Sequence, residues 1–276
     1  LDIYDESKAK VQFVERLQTL MTEGEISQTA LEALPTAYDY VRLGHQLSSV
    51  LEWVIGTHYG FATEQVISFA SKTMSLLAIL RSNTVHGRRT VIYHDCEVPS
   101  VLQLDEITTV YGYHVEFIPL DSASEISGDA DVMQVYLTNA DVFSSLSTEN
   151  YDATVNISSD FGCVLMLHPR NSESASTWVS EVQHVRRREC IAVTPPYAER
   201  MLQELIGIQP SPIESVTIED WNSIAEAVAE NTGSDVQPLV ASSGLSTQYA
   251  IMMGLLNHAY KTYPGKPIQF LIPPNC

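Results

Sequence analysis

"QVISFASKTMSLLAILRSNTVHGRRTVIYHD", residues 65–95, decides the fold. "QVISFAS" is a short apolar run of strand type, "KTMSLLAILRSN" carries apolar residues at helical spacing, and "RTVIYHD" is a second strand. Strand, helix and strand joined by short loops are the mark of a parallel sheet covered by helices. The pattern continues downstream with "VPSVLQLDEITTVYG", read as a helix stopped at Gly112, and "YHVEFIPL", a third strand. Upstream, "LSSVLEWVIGTHYG" reads as a helix with Gly56 and Gly60 as stop signals. Residues 6–33 read as one or two amphipathic helices, with Val11, Phe13, Val14, Leu17, Leu20 and Met21 near helical spacing before Pro35 breaks the pattern.

Further along, "DVMQVYL", "DATVNIS" and "CVLMLHP" are strand candidates. "SASTWVSEVQHVRR" and "PYAERMLQELIG" are helices, the second opened by Pro195 and Pro196 and closed by Gly207. A new unit begins near "SPIESVTIEDWNSIAEAVAENTG": Thr217 caps, Asp220 stands three residues later as in a capping box, and Gly233 stops the helix. It continues as strand "QPLVASSG", helix "LSTQYAIMMGLLNHAYKTYPG" and strand "KPIQFLIPP". The passages starting at Val50 and at Ser223 share this layout at an offset of about 172 residues, which suggests a duplication at low identity. The expected organisation is an N-terminal helical segment (1–35), an α/β region (36–210) and the start of a second α/β domain (211–276).

The chain has 276 residues, 45% hydrophobic and 18% charged, enough for one large or two small domains. No apolar run reaches the roughly 18 residues of a membrane span, and the charged N-terminus lacks the basic and apolar regions of a signal peptide. A net charge of -19 is unfavourable for nucleic-acid binding. "HVRRREC", residues 184–190, is the one basic cluster and reads as a charge patch on a helix face. Cys96, Cys163, Cys190 and Cys276 show no C-x-x-C spacing, so reduced thiols in a cytoplasmic protein are expected, with no metal site. His94, Asp95, Cys96 and Glu97 cluster where a strand ends, the place where α/β folds hold ligands, although four polar residues there are usually just a loop.

"VASSGLSTQYAIMMGLL", residues 240–256, runs from a Ser-Ser-Gly turn into a helix. The first amides of a helix lack intrahelical partners and favour an anion, and Gly244 lets the backbone approach one. The simpler reading is Ser242 or Ser243 as an ordinary N-cap.

Several stretches together resemble the cystathionine γ-synthase and γ-lyase family of pyridoxal-phosphate (PLP) enzymes. Tyr40 and Arg42 stand at its Tyr-x-Arg, Leu51 and Glu52 at its Leu-Glu, and Ala70, Ser71 and Lys72 at its phosphate turn, over residues 36–120. Over residues 218–276 "SSGLSTQYAIMMGLL" is similar to the family's Ser-Ser-Gly-Met turn and helix, and "KPIQFLIPPNC" to the strand before its Tyr-Gly-Gly-Thr. Lys72 replaces the turn glycine, and Gln46, Leu47 and Ser48 replace Asn-Pro-Thr, so the first copy reads as degenerate and cofactor-free.

The resemblance implies an α/β fold of the PLP-transferase type (fold type I), with a parallel or mixed sheet covered by helices. It implies PLP as cofactor, held at Ser243, Gly244 and Leu245, a small amino-acid substrate, and a homo-oligomer with sites between subunits. The implied chemistry is β- or γ-elimination or replacement in cysteine and methionine metabolism. PLP needs a Schiff-base lysine. The lysines are Lys8, Lys10, Lys72, Lys261 and Lys266, and none stands in the family's Ser-x-Thr-Lys segment. "DATVNISSDFG" echoes that segment with Asp160 at the lysine position, and is read as coincidence. No catalytic residue is therefore assigned. The expectation is the N-terminal fragment of a longer enzyme, truncated in its cofactor domain; the alternative is a non-catalytic α/β module for regulation or assembly.

Overall fold

The computed structural model describes residues 5–35, 44–122, 131–146, 148–158, 160–168, 172–210, 212–213, 217–241 and 243–272. Tyr40, Arg42, Ser242 and Cys276 lie outside them.

Helix α1 (Glu6–Glu23) starts at Asp5, whose carboxylate accepts the Lys8 amide. Its apolar stripe buries Phe13, Val14 and Leu20 against Leu34 and Trp53. After the short α2 (Gln28–Glu32) comes α3 (Gln46–Tyr59), with an unusual cap. The His45 ring accepts the Ser48 amide at Nδ1 (3.1 Å), which leaves Nε2 to donate to the Val193 carbonyl at 2.7 Å. Burial lowers the His45 pKa, as the neutral ring of that geometry requires.

The 65–95 unit forms as read: β1 (Val66–Phe69), α4 (Met74–Val85) and β2 (Arg89–His94). The helix expected after β2 is only a 3-10 turn (Ser100–Gln103) and the short α5 (Asp105–Thr109). Strand β3 (Val115–Pro119) follows, then β4 (Val132–Thr138), β5 (Ala153–Ser158) and β6 (Gly162–Leu167), and helices α6 (Ser172–Glu189) and α7 (Pro195–Leu205).

The six strands form one mixed sheet in the order β1-β6-β5-β4-β2-β3. The pairs β2–β3, β2–β4 and β4–β5 are parallel; β6 runs antiparallel to both β5 and β1. Strands β1, β4 and β6 are buried throughout, as apolar runs covered on both faces must be. On one face α4 and α6 bring Leu76, Ile79, Val179 and Val182 onto Ile67, Phe69, Val135 and Leu165. On the other, α3 and α7 bring Leu51, Ile55 and Met201 onto Val66, Val164 and Met166. Gly162 (φ 122°) starts β6 directly beneath the end of β1, where a Cβ would stand 2.1 Å from the Phe69 carbonyl oxygen. Only glycine fits that approach.

Strand β1 is an edge strand, and its outward backbone is met by charged side chains instead of another strand. Glu52 Oε1 of α3 accepts from the Ser68 amide (2.8 Å) and hydroxyl (2.7 Å). Arg186 of α6 donates to Glu52 Oε1 (2.8 Å) and to the Ser68 carbonyl (3.3 Å). Lys10 of α1 donates to Glu52 Oε2 (2.8 Å) and to the Val66 carbonyl (2.6 Å). All three charged residues are at most 2% exposed. Burial works to raise the Glu52 pKa; the charges of Lys10 and Arg186 outweigh it and hold the carboxyl below its ordinary range. Arg186, read in sequence as part of a surface patch, is thus buried against the sheet.

Helices α8 (Ile218–Thr232) and α9 (Gly244–Thr262) follow, with the Thr217–Asp220 capping box in place and Gly233 ending α8 in the left-handed conformation. The strands expected at "QPLVASSG" and "KPIQFLIPP" are not formed: the described residues 237–241 and 266–272 are irregular. A strand needs a partner edge, and Leu239 (80% exposed) and Leu271 (99%) face solvent without one.

Two outcomes follow. Glu52→Gln leaves two buried cations around a neutral amide, and urea unfolding should show a loss of about 3–5 kcal/mol. His168 is half-buried between the Thr154 hydroxyl and the Tyr151 carbonyl, and desolvation lowers its pKa from 6.5 to about 4. A depressed folded pKa means that its contribution is complete above pH 6.5 and is lost as pH falls towards 4. The stability gap between the wild-type chain and His168→Gln should therefore narrow across that window; a constant gap would count against a neutral ring.

Candidate functional site

The carboxyl ends of β1, β2, β4 and β5 lie along one edge of the sheet, where open α/β folds bind ligands. A cavity of about 490 Å³ sits there. The turn after β1 contributes Lys72 and Thr73, the loop after β2 contributes Cys96 to Val101, and Asn139 and Ile157 come from the ends of β4 and β5. A neighbouring cavity of about 530 Å³, walled by His94, Gln103 and Asp105 among others, shares Glu97 and Val98 with it.

The turn after β1 is closed on itself. The Ser71 hydroxyl accepts the amides of Thr73 (3.3 Å) and Met74 (3.2 Å), and the Cys163 thiol donates to the Ser71 carbonyl (3.1 Å). The amides of Thr73 and Met74 are thus engaged within the turn itself.

The polar run after β2 is resolved into separate roles. Asp95 accepts from the Tyr136 hydroxyl (2.5 Å) and the Thr138 hydroxyl (3.2 Å), which fixes it to β4. Desolvation, with the Asp95 hydrogen bond next, pushes Tyr136 up to about 12. His94 Nδ1 lies 2.9 Å from the Cys96 carbonyl. Burial, with the Asp95 charge second, pushes the Cys96 thiol up to about 11, so it is protonated at neutral pH and is not a prepared nucleophile. Among the described residues no group of three His, Cys, Asp or Glu could hold a metal ion.

The lysines show whether this edge suits PLP. Lys10 is consumed by Glu52, Lys8 pairs with Asp5, Lys261 with Glu106, and Lys266 lies over the Tyr263 ring. Only Lys72 reaches the cavity, and it is exposed. Asp160, at the lysine position of the echo in "DATVNISSDFG", stands just past β5 in the turn to β6, and lies 3.6 Å from Arg200 of α7. With no lysine from β5 or β6, the Thr73 and Met74 amides bonded to Ser71, and Glu97 in the wall, the sheet edge does not fit PLP.

The expected cradle Ser243, Gly244 and Leu245 lies at the start of α9 and lines neither cavity of the sheet edge. Ser243 is the N-cap: its hydroxyl accepts the Ser246 amide (3.1 Å) and donates to the Arg188 carbonyl at the end of α6 (2.5 Å). A Cβ on Gly244 would meet nothing within 4 Å, and Leu245 is 45% exposed. Helix α9 is held to the sheet domain by Tyr249, whose ring lies 4.4 Å from the Arg81 guanidinium and whose hydroxyl is 3.3 Å from that of Tyr113. Arg81 is itself clamped by Glu189.

The Lys10–Glu52–Arg186 cluster is absent from the sequence reading. Its signal in the sequence is a charge inside an apolar run, Glu52 in "SVLEWVI".

No protein-family model matches the chain, and no curated protein matches it. Among solved structures, a protein from Listeria monocytogenes EGD-E described as an L-allo-threonine aldolase matches at 13% identity and a TM-score of 0.41, over 72% of this chain and 68% of that one. The aminotransferase TlmJ from Streptoalloteichus hindustanus matches at 12% and 0.35, over 84% and 72%. A C-DES variant with glycine covalently linked to its PLP cofactor matches at 11% and 0.31, over 92% and 84%. Likeness at this level decides nothing about chemistry.

A thiol this strongly shifted should alkylate slowly. Peptide mapping after iodoacetamide treatment should show Cys96 modification rising only as pH approaches about 11; a rate that levels off by pH ~8.5, the value of an ordinary free thiol, would contradict the assignment.

Proposed function

We propose that this chain is part of a PLP-dependent enzyme of sulfur amino-acid metabolism similar to cystathionine γ-synthase and γ-lyase. The six-stranded domain is a non-catalytic module within it, and α8 and α9 belong to the part that holds the cofactor. The observation that carries this reading is the separation of parts. The sheet edge has a cavity whose one lysine, Lys72, stands in the turn after β1, with the Met74 amide of that turn already bonded to Ser71. The turn most similar to the family's phosphate cradle stands instead at the head of the 19-residue α9.

The exposed faces of α8 and α9 support the same reading. Trp221, Ile224 and Val228 on α8, and Ile251 and Leu255 on α9, are exposed at helical spacing, as on helices made to cover a sheet. In this reading Ser243, Gly244 and Leu245 hold the phosphate, the substrate is an amino acid carrying or receiving sulfur on its side chain, and the enzyme is a cytoplasmic homo-oligomer. Among the described residues no helix is long and apolar enough to cross a membrane.

One contact favours the second reading, a purely regulatory or assembly module related to PLP transferases. The Ser243 hydroxyl is already spent on the Arg188 carbonyl, and phosphate binding has to displace it.

Adding PLP to the 276-residue chain should produce no absorbance band near ~420 nm, the region expected of a protein-bound lysine adduct of the cofactor. Borohydride reduction should leave every lysine unmodified by mass spectrometry. A stoichiometric adduct on Lys72 would overturn the non-catalytic assignment of the sheet domain.

A further inference from the structure

The cavity at the sheet edge is walled by side chains of both charges that are engaged nowhere else. Among the described residues Lys72 and Glu97 make no ion pair, and the Ser100 and Asn139 side chains make no hydrogen bond. This is a departure from the rest of the chain, where each of the other four lysines has a carboxylate or an aromatic ring. In a chain of net charge -19, a lysine and a glutamate that line one cavity without an ion pair are an uncommon use of a scarce cation. The volume, about 490 Å³, falls within the ~300–1,000 Å³ usual for small-molecule sites. Val98 and Ile157 supply an apolar part to the wall.

We propose that this cavity binds a small zwitterion, a free α-amino acid. Lys72 takes the carboxylate, Glu97 the ammonium, Ser100 and Asn139 the remaining polar atoms, and Val98 and Ile157 pack on the side chain. Two opposite charges in one cavity discriminate against ligands of a single charge, because each such ligand leaves one protein charge facing its like. An inorganic phosphate, or the phosphate of PLP, meets Glu97. An amine without a carboxylate meets Lys72. The Thr73 and Met74 amides are already taken by Ser71, so Lys72 is the charged group that receives the anion. The sheet domain thereby becomes a sensor of amino-acid supply attached to a catalytic part; this rests on reading that domain as cofactor-free.

The test is isothermal titration calorimetry of the 276-residue chain with glycine, L-alanine and L-methionine. N-acetyl-L-methionine and L-methionine methyl ester serve as single-charge analogues, with inorganic phosphate and PLP as anions. At least one free amino acid should bind saturably. Removing either charge, from the ligand or by Lys72→Met or Glu97→Gln, should weaken it about tenfold or more, the effect of losing one charge-assisted hydrogen bond. Both residues are exposed, so circular dichroism and melting of the two variants should be unchanged. No binding of any of the three amino acids at about 10 mM, a concentration that reveals even weak sites, would overturn the proposal. Binding that survives both substitutions would do so too. If PLP binds and Lys72→Met abolishes it, the cofactor-free reading itself fails; if neither PLP nor amino acid binds, only the zwitterion site does.

Discussion

The fold depends on one carboxylate. Glu52 stands where a seventh strand would otherwise pair with β1, and it accepts the Ser68 amide while Arg186 and Lys10 donate to the carbonyls of Ser68 and Val66. An edge strand presents unpaired donors and acceptors that either attract another chain or go unsatisfied when buried. Here three side chains from α1, α3 and α6 replace the missing ladder, and the same contacts hold those helices to the sheet. Two cations around one anion are made tolerable by the backbone carbonyls of Val66 and Ser68, which accept from Lys10 and Arg186. The arrangement also fixes the end of β1, where the chain turns through Ser71 and Lys72 above Gly162 to form one wall of the cavity.

The α/β class, the core strands and most helix limits were legible because periodicity and caps are local. The three strand candidates of the middle stretch are β4, β5 and β6, and the Thr217–Asp220 capping box is in place. A parallel or mixed sheet was expected; that β6 is the reversed strand, between β5 and β1, was not legible, since strand direction depends on which edges are free once the chain has collapsed. The two late strands failed for the same reason. "QPLVASSG" and "KPIQFLIPP" have strand character, but β1 is closed by Glu52, and no partner edge meets them among the described residues. Arg186 was misread because its neighbours Arg187 and Arg188 look like a surface patch; which arginine of three turns inward is set by helix phase against the sheet.

The candidate sites divide in the same manner. Position along the chain was enough to place Ser243 at a helix start, and it is the N-cap of α9. Chain position could not reveal that its hydroxyl reaches the Arg188 carbonyl 55 residues away. The cluster His94 to Glu97 was visible as a polar loop, yet its members take different tasks. Asp95 serves β4, the raised Cys96 thiol is inert, and Glu97 faces a cavity. Asp160 was set aside in sequence, and lies in the turn that joins β5 to β6, at the sheet edge where the resemblance would put a lysine. These residues line or border an edge that has a cavity and no lysine on β5 or β6.

The account stands or falls on β1 being closed by side chains. Native-state hydrogen exchange of the Ser68 amide tests this most directly. Bonded to a buried carboxylate 2.8 Å away, it should exchange only through global unfolding, as slowly as the amides of the central strand β4. Exchange at the rate of a frayed edge strand, with β4 still protected, would contradict it.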